Sequence, residues 1–211
     1  MESTMIKTSR AERHIRALEL AKKCAAFGAR VRTIGHVTGL PHGELACLFF
    51  ADIHAAPRGR APDSPDWYHG ANVLSRVEAS IFLSVFRRIR ELGFGPAEAL
   101  VSGYQHYRTV CRDQMRISFD RAFDLASHLD GLWLARIPNF SLLDCPACAS
   151  QYVTALGTNP VSNHECTFCK LVTRYPRDPR IQSSFQSPGL TDMNNVQLGV
   201  IALSRRWGSA N

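Results

Sequence analysis

Four cysteines in two pairs constrain this chain more than any other feature. Cys145 and Cys148 are separated by two residues, and after seventeen further residues Cys166 and Cys169 repeat that spacing. Two intervening residues let a tight turn aim both thiolates at one ion, and the whole pattern matches structural zinc sites with Zn–S bonds of about 2.3 Å. Four thiolates complete a tetrahedral shell and leave no position for a reactive water. The pattern therefore predicts one structural, non-catalytic zinc ion per chain.

Other uses of these cysteines stay open at the level of sequence. The segment Cys145-Pro-Ala-Cys148 resembles a redox dithiol, but the surrounding βαβ pattern is missing and the second pair would have no role. Four thiolates can also hold an iron–sulfur cluster, and His164 could replace one of them. The remaining cysteines lie in apolar, helix-like stretches and are expected to be buried without a chemical role: Cys24, Cys47 and Cys111.

The chain before residue 132 has the periodicity of α-helices. Apolar residues recur at helical spacing over residues 11–27, 70–92 and 119–129, and Pro96 fits the first turn of a further helix. No strand-like alternation of useful length interrupts them. We therefore predict a mainly α fold, with a helical body over residues 1–131.

The character of the sequence changes after this body. Two short extended-looking segments, residues 132–137 and 151–156, frame the first cysteine pair. They indicate a small zinc-ribbon-like module over residues 132–172, near the C-terminus of the chain. The polar and basic residues 173–211 are expected to form a mobile tail.

Residues 30–54 within the helical body are similar to a helix-turn-helix. Two short apolar patterns separated by a glycine predict a helix, a tight turn and a second helix, as in many DNA-binding domains. The second helix carries Glu44 and Asp52, and neither Lys nor Arg occurs between Arg32 and Arg58. Because base recognition normally uses amide or cationic side chains, an ordinary helical hairpin is the alternative interpretation.

The charge of the chain indicates where a polyanion could bind. Lys and Arg number 25 against 18 Asp and Glu, which gives a net charge of +7. Separate basic regions are typical of proteins that bind nucleic acid, although an ordinary solvated basic surface would have the same composition. Six cations, four after the last cysteine and two in a proline-rich loop, are the predicted contacts to the DNA backbone: Lys170, Arg174, Arg177, Arg180, Arg58 and Arg60.

Several classes of function lack support in the sequence. The longest apolar stretch has seven residues, whereas a membrane-spanning helix needs about 20. The N-terminal residues do not contain the apolar region of a secretory signal, so a cytoplasmic protein is expected. There is no histidine pair at i and i+4, no glycine-rich phosphate loop and no G-x-S-x-G elbow, and we therefore expect no enzymatic activity.

The order of motifs resembles the FlhC family of bacterial flagellar transcriptional activators. The chain contains AAFGARVRTIGHVTGLPHGELACLFF, then Asp66-Trp67-Tyr68 after the proline-rich loop, then SFDRAFDLASHLDGLWLARIPNFSLLDCPACASQYVT and HECTFCK. The resemblance covers residues 12–172. Its most specific part is the cysteine quartet, with LWLARI before it and QYVT after its first pair.

This resemblance implies a mostly α-helical subunit with zinc bound at Cys145, Cys148, Cys166 and Cys169. It further implies assembly with FlhD into a heterohexamer of four FlhD and two FlhC chains. Promoter DNA binding and recruitment of RNA polymerase to flagellar operons are implied as well. Two alternatives remain: a diverged paralogue that binds FlhD and modulates regulation without contacting DNA, and a thiol redox protein.

Overall fold

The computed structural model describes residues 9–50, 57, 59, 64, 66–111, 115–156 and 166–184. In this part the chain is mainly α-helical with one two-stranded sheet, which confirms the predicted fold class. The elements are α1 (Arg10–Ala26), α2 (Val31–Thr38), α3 (His42–Phe49), α4 (Asp66–His69), α5 (Val73–Glu91), α6 (Pro96–Val110), α7 (Phe119–Asp130), β1 (Phe140–Asp144), β2 (Gln151–Ala155), α8 (Thr167–Arg174), a 3-10 helix (Tyr175–Arg177) and α9 (Pro179–Gln182). None of these described helices is long and apolar enough to cross a membrane.

The chain divides into two compact units, residues 1–172 and 173–211. The described part of the second unit contains the end of α8, the 3-10 helix and α9. The rest of the predicted mobile tail, residues 185–211, lies outside the described residues. The predicted boundary between a helical body and a zinc module at residue 131 stays a prediction.

Local capping groups fix the ends of the main helices. Ser9 and Glu12 form a capping box at the start of α1, in which each side chain accepts a hydrogen bond from the other residue's backbone N–H. Asn72 caps α5 by accepting from the Ser75 N–H at 2.9 Å. Gly131 ends α7 in the left-handed conformation, with φ of 67°. The helices predicted from apolar spacing are confirmed, with ends close to those expected.

The hydrophobic core is built around α5, which packs against α6, α7 and the sheet. Phe82 and Phe86 of α5 are fully buried. The Phe82 ring meets Tyr104 of α6, and Tyr104 lies edge-on to Phe119 of α7 with ring centroids 5.1 Å apart. Tilted and edge-on contacts of this kind suit the charge distribution of aromatic rings. This aromatic cluster packs α5, α6 and α7 against one another.

The two extended segments predicted around the cysteines differ in outcome. Residues 151–156 contain β2, as predicted, but the prediction of an extended segment at 132–137 is wrong. Those residues form turns, and β1 begins only at Phe140. Trp133 adopts a left-handed backbone with φ of 51° and packs its ring on Phe123, with centroids 5.1 Å apart. Tertiary packing of this side chain overrides the local extended propensity.

The outer edge of β2 is satisfied by side chains from the helices. The antiparallel register pairs Leu142 of β1 with Val153 of β2, and among the described residues this sheet has no third strand on that side. The Tyr68 hydroxyl donates to the Val153 carbonyl at 3.0 Å, and the Val153 N–H donates to the Ser80 hydroxyl at 3.1 Å. All three residues with these bonds are buried. Because a buried backbone group without a partner is costly, these two bonds dock the hairpin onto α4 and α5.

A buried carboxylate positions the start of α2. Its N-cap residue, Arg30, makes no capping hydrogen bond with its own side chain. Asp120 of α7 accepts bonds from the Arg30 N–H at 3.2 Å and from the Thr33 hydroxyl at 2.5 Å, and it also pairs with the Arg30 guanidinium. The side chain of Asp120 is only 2% exposed. A residue 90 positions away thus caps the first helix of the helix-turn-helix-like segment.

The three cysteines outside the quartet differ in burial. Cys24 is fully buried as predicted, and burial raises the pKa of its thiol to about 12. Cys111 is half-buried at the end of α6, where burial raises the pKa to about 11. The expectation is wrong for Cys47, which is exposed on α3. Leu45 is the buried residue of that helix and Phe49 packs partly against the core, whereas Cys47 and Leu48 lie on the side that faces solvent.

Candidate metal centre

The first cysteine pair lies in the turn between β1 and β2. Cys145 directly follows β1, and its N–H donates to the Ser150 carbonyl at 3.0 Å, while the Ala149 N–H donates to the Cys145 carbonyl at 2.8 Å. Ala149 closes the turn with φ of 57°, a left-handed conformation that few residues other than glycine adopt. This turn lets the sulfurs of Cys145 and Cys148 reach one cluster.

The second pair lies at the start of α8. Cys166 immediately precedes the helix, and Cys169 belongs to its first turn. The Cys169 N–H donates to the Cys166 Sγ at 3.2 Å, and the Lys170 N–H donates to the Cys166 carbonyl at 3.0 Å. Unpaired N–H groups give a helix start a partial positive charge, which favours thiolates over thiols.

The four Sγ atoms form a single cluster and all lie within 4.8 Å of one another. The Sγ atoms of Cys145 and Cys169 are 3.8 Å apart, and those of Cys148 and Cys166 are 3.5 Å apart. A regular tetrahedron with Zn–S bonds of about 2.3 Å has S···S edges of about 3.8 Å. The observed separations therefore fit a tetrahedral metal ion, and the all-sulfur donor set favours a soft or borderline ion over Ca²⁺ or Mg²⁺.

The cysteines of this cluster differ in their electrostatic environments. Cys148 is exposed, and hydrogen bonds with Ser150 lower the pKa of its thiol to about 6. Burial raises the pKa of Cys166, and hydrogen bonds with Cys166 and Cys148 raise the pKa of Cys169. Four neighbouring thiols ionise together only when a cation offsets their mutual repulsion. Ser150 is not among the residues predicted for the site from the sequence. Its position directly after the turn with Cys145 and Cys148 could have indicated its contact with the Cys148 thiol.

Four of the six cations predicted to contact DNA lie in the described residues, and all four are exposed. Lys170 belongs to α8, and Arg174 ends that helix and pairs with Asp178 at 3.2 Å. Asp178 also caps α9 by accepting from the Arg180 N–H at 3.1 Å, and Arg177 ends the 3-10 helix. An acidic side chain therefore lies among these cations. DNA contact by them stays a prediction.

The other two predicted contacts, Arg58 and Arg60, lie outside the described residues. Gly59 between them accepts a hydrogen bond from the Arg30 Nε at 3.3 Å. This bond brings the backbone of the proline-rich loop to the start of α2.

Helices α2 and α3 form the predicted helix-turn-helix-like unit. The turn between them contains Gly39 with φ of 73°, a conformation that favours glycine. Ile34 of α2 and Leu45 of α3 are fully buried and anchor the two helices in the core. Helix α3 ends at Phe49, and residues 51–54 of the predicted second helix lie outside the described residues.

The exposed side of α3 presents neutral and apolar groups. Glu44 in its first turn pairs with His14 of α1, with 3.3 Å between Oε1 and Nε2. The exposed positions of the helix are His42, Gly43, Cys47 and Leu48. Helix α3 by itself therefore offers no Lys or Arg to a phosphate backbone.

Comparison with known proteins places the chain in a family. The sequence matches, over residues 6–181, the family model described as flagellar transcriptional activator (FlhC). A relative from Burkholderia lata, named flagellar transcriptional regulator FlhC, is 31% identical over 159 residues, which cover 70% of this chain and 68% of the relative. The match to the family includes the helical body and all four clustered cysteines. The chain therefore belongs to the FlhC family of flagellar transcriptional regulators.

Proposed function

We propose that this chain is a zinc-containing activator subunit that binds promoter DNA together with FlhD and switches on flagellar operons. The observation that carries the proposal is the four-sulfur cluster, with all sulfurs within 4.8 Å, in a chain of the FlhC family. The proposed assembly contains four FlhD and two FlhC chains, acts in the cytoplasm and recruits RNA polymerase. The role is regulatory and not enzymatic.

Cys145, Cys148, Cys166 and Cys169 would hold one zinc ion per chain. When bound, zinc supplies a closed four-thiolate centre that stabilises structure and does not activate water. Apparent zinc binding in small fingers is worth about 10–16 kcal/mol, which exceeds what a two-stranded hairpin contributes by itself. The metal would join the β1–β2 turn to the start of α8 across residues that are distant in sequence.

The proposed contacts to the DNA backbone include the four exposed cations that follow the last cysteine and the two in the proline-rich loop. They are Lys170, Arg174, Arg177, Arg180, Arg58 and Arg60. Contacts of this kind hold phosphates without reading bases, so their loss weakens binding to all sequences about equally. The variant Arg174→Ala with Arg177→Ala should therefore weaken promoter and unrelated DNA alike. If this double variant kept its affinity for promoter DNA but no longer distinguished it from unrelated DNA, the assignment would be contradicted.

A second candidate function is that of a paralogue that binds FlhD and modulates regulation without contacting DNA. The absence of Lys and Arg from α3, together with Glu44 in its first turn, favours it. Thiol redox chemistry is the third reading of the cysteine quartet. Stoichiometric zinc that resists peroxide would exclude that reading.

Co-purification with the host's FlhD, followed by metal analysis and DNA binding at several salt concentrations, tests the proposal. We expect one zinc per chain and an affinity for promoter DNA whose logarithm falls linearly with the logarithm of salt, by about 0.9 for each phosphate contact. A complex that contains zinc and FlhD but does not shift promoter DNA would leave only the modulatory function. A chain that neither binds FlhD nor holds zinc would refute both.

A further inference from the structure

A basic cleft lies beside the turn of the helix-turn-helix-like unit. It has a volume of about 830 Å³ and is bounded by one side of α1 and by the end of α2 with the following turn. Arg10, Arg13 and His14 line it from α1, and Thr38 and Leu40 line it from the α2–α3 connection. Residues 10, 13 and 14 share a helix face because they are three and four positions apart. None of the residues that line this cleft is among the six cations proposed above as DNA contacts.

The two arginines of this cleft have no evident role in stabilising α1. Both are exposed, and within the described part of the chain neither guanidinium lies within 4.0 Å of a carboxylate. Arg10 is the first residue of the helix and Arg13 follows one turn later. Cations near a helix N-terminus oppose the helix dipole, so this arrangement costs stability that the Ser9 capping box offsets.

The acidic groups near the cleft are already engaged. Glu12 accepts the Ser9 N–H at 2.7 Å in the capping box, and Glu44 of α3 pairs with His14 at 3.3 Å. Neither carboxylate therefore forms an ion pair with Arg10 or Arg13, whose exposed guanidinium groups remain available to an anion. Two hydrogen bonds of Thr38 hold the turn side of the cleft: its hydroxyl donates to the Ile34 carbonyl at 2.8 Å and accepts from the Leu40 N–H at 3.3 Å.

The position of the cleft matches the part of a helix-turn-helix that faces the DNA backbone. In such units the second helix enters the major groove while the first helix, here α2, crosses the phosphates. Helix α1, which carries Arg10 and Arg13, packs against α2. Here α3 exposes His42, Gly43, Cys47 and Leu48, which can lie in a groove but cannot neutralise phosphate. Cations on a neighbouring helix would complete the interface that α3 lacks.

We infer that this cleft binds the phosphate backbone of duplex DNA through Arg10 and Arg13 and thereby orients α3 over the groove. The inference rests on the proposed function, since it assigns further residues to the DNA interface. It also explains how a helix-turn-helix-like unit without a basic second helix can contribute affinity. Sequence readout is left to other residues, because phosphate contacts do not distinguish bases.

The test uses the complex of the full chain with FlhD, with promoter and unrelated duplexes of equal length, across salt from about 50 to about 200 mM. Arg10→Ala with Arg13→Ala should weaken binding to both duplexes roughly ten- to hundredfold and make the salt slope shallower by about 1.8. Arg10→Lys with Arg13→Lys should retain most of the affinity, because a phosphate accepts a point charge.

Lys22→Ala with Lys23→Ala is the matched control. It removes the same charge from the same helix, from exposed positions about 18 Å from Arg10 along the axis. We expect its affinity and salt slope to equal those of the wild type. An equal loss in both double variants would make the effect one of net charge and overturn the cleft assignment.

Two further outcomes separate this inference from the proposed function. If the wild-type complex binds promoter DNA while Arg10→Ala with Arg13→Ala binds with unchanged affinity and slope, the inference is refuted and the proposed function stands. If that variant loses FlhD on co-purification, the cleft is a protein interface and the inference is also refuted. If the wild-type complex binds no DNA, both this inference and the proposed function are refuted.

Discussion

The hydrogen bond between Tyr68 and Val153 provides the sharpest test of how the hairpin is held. Tyr68→Phe removes one hydroxyl and keeps the ring, which packs edge-on against Phe140 with centroids 5.2 Å apart. No large cavity forms, so the lost energy is that of the 3.0 Å bond and of the buried carbonyl it leaves. Leaving a buried acceptor without its donor costs about 1–3 kcal/mol. Burial raises the pKa of Tyr68 to about 12, so the hydroxyl is a neutral donor throughout the accessible pH range.

Urea unfolding of the purified chain in excess zinc measures this loss. We expect the midpoint to fall with an unchanged m-value, and the melting temperature to fall by about 2–4 °C per kcal/mol for a chain of this size. Tyr152→Phe is the control. Tyr152 lies next to Val153 on β2, and its hydroxyl has no hydrogen-bond partner within the described residues. A change below about 0.5 kcal/mol for Tyr68→Phe, the range of ordinary surface substitutions, would refute the docking argument.

The Ser80→Ala variant extends the same test to the other polar group of Val153. It leaves the Val153 N–H without its 3.1 Å acceptor, and its cost should resemble that of Tyr68→Phe. Because both bonds hold one residue, the double variant should lose less stability than the sum of the single losses. Strict additivity would show that the two bonds stabilise the fold independently and would contradict this expectation.

Three further predictions test other parts of the structure. Cys148→Ser should abolish stoichiometric zinc binding and disorder the β1–β2 turn while most helical circular dichroism remains, and unchanged zinc content would contradict its role as a ligand. Asp120→Ala should lower the free energy of unfolding by about 3–5 kcal/mol, because it removes a buried carboxylate that accepts from the Arg30 N–H, the Arg30 guanidinium and the Thr33 hydroxyl, and a loss near zero in chemical denaturation would refute that account. In thermal melts, Gly131→Ala should lower the stability by about 1–3 kcal/mol, since φ is 67° and a new Cβ would lie 2.9 Å from Pro138. Gly43→Ala is its control: the space around Gly43 is open, so this variant should be neutral or stabilising in the same assay.

The sequence by itself was sufficient for features that depend on near neighbours. The spacing within Cys145–Cys148 and Cys166–Cys169 suits a tight turn or the first turn of a helix, so the clustering of their sulfurs could be predicted. Helices α1, α5 and α7 followed from apolar residues repeated every three to four positions. The order of these motifs was also enough to indicate the family.

Only the tertiary structure decided features that join distant parts of the chain. Residues 132–137 look extended, but the packing of Trp133 on Phe123 turns them away from a strand. The edge of β2 is satisfied by residues 85 and 73 positions away, and α2 is capped from 90 positions away. The cleft between α1 and the α2–α3 turn arises in the same way. Periodicity and spacing in a sequence depend on local backbone geometry. The partners of these buried polar groups, in contrast, depend on which distant residues come into contact when the core packs.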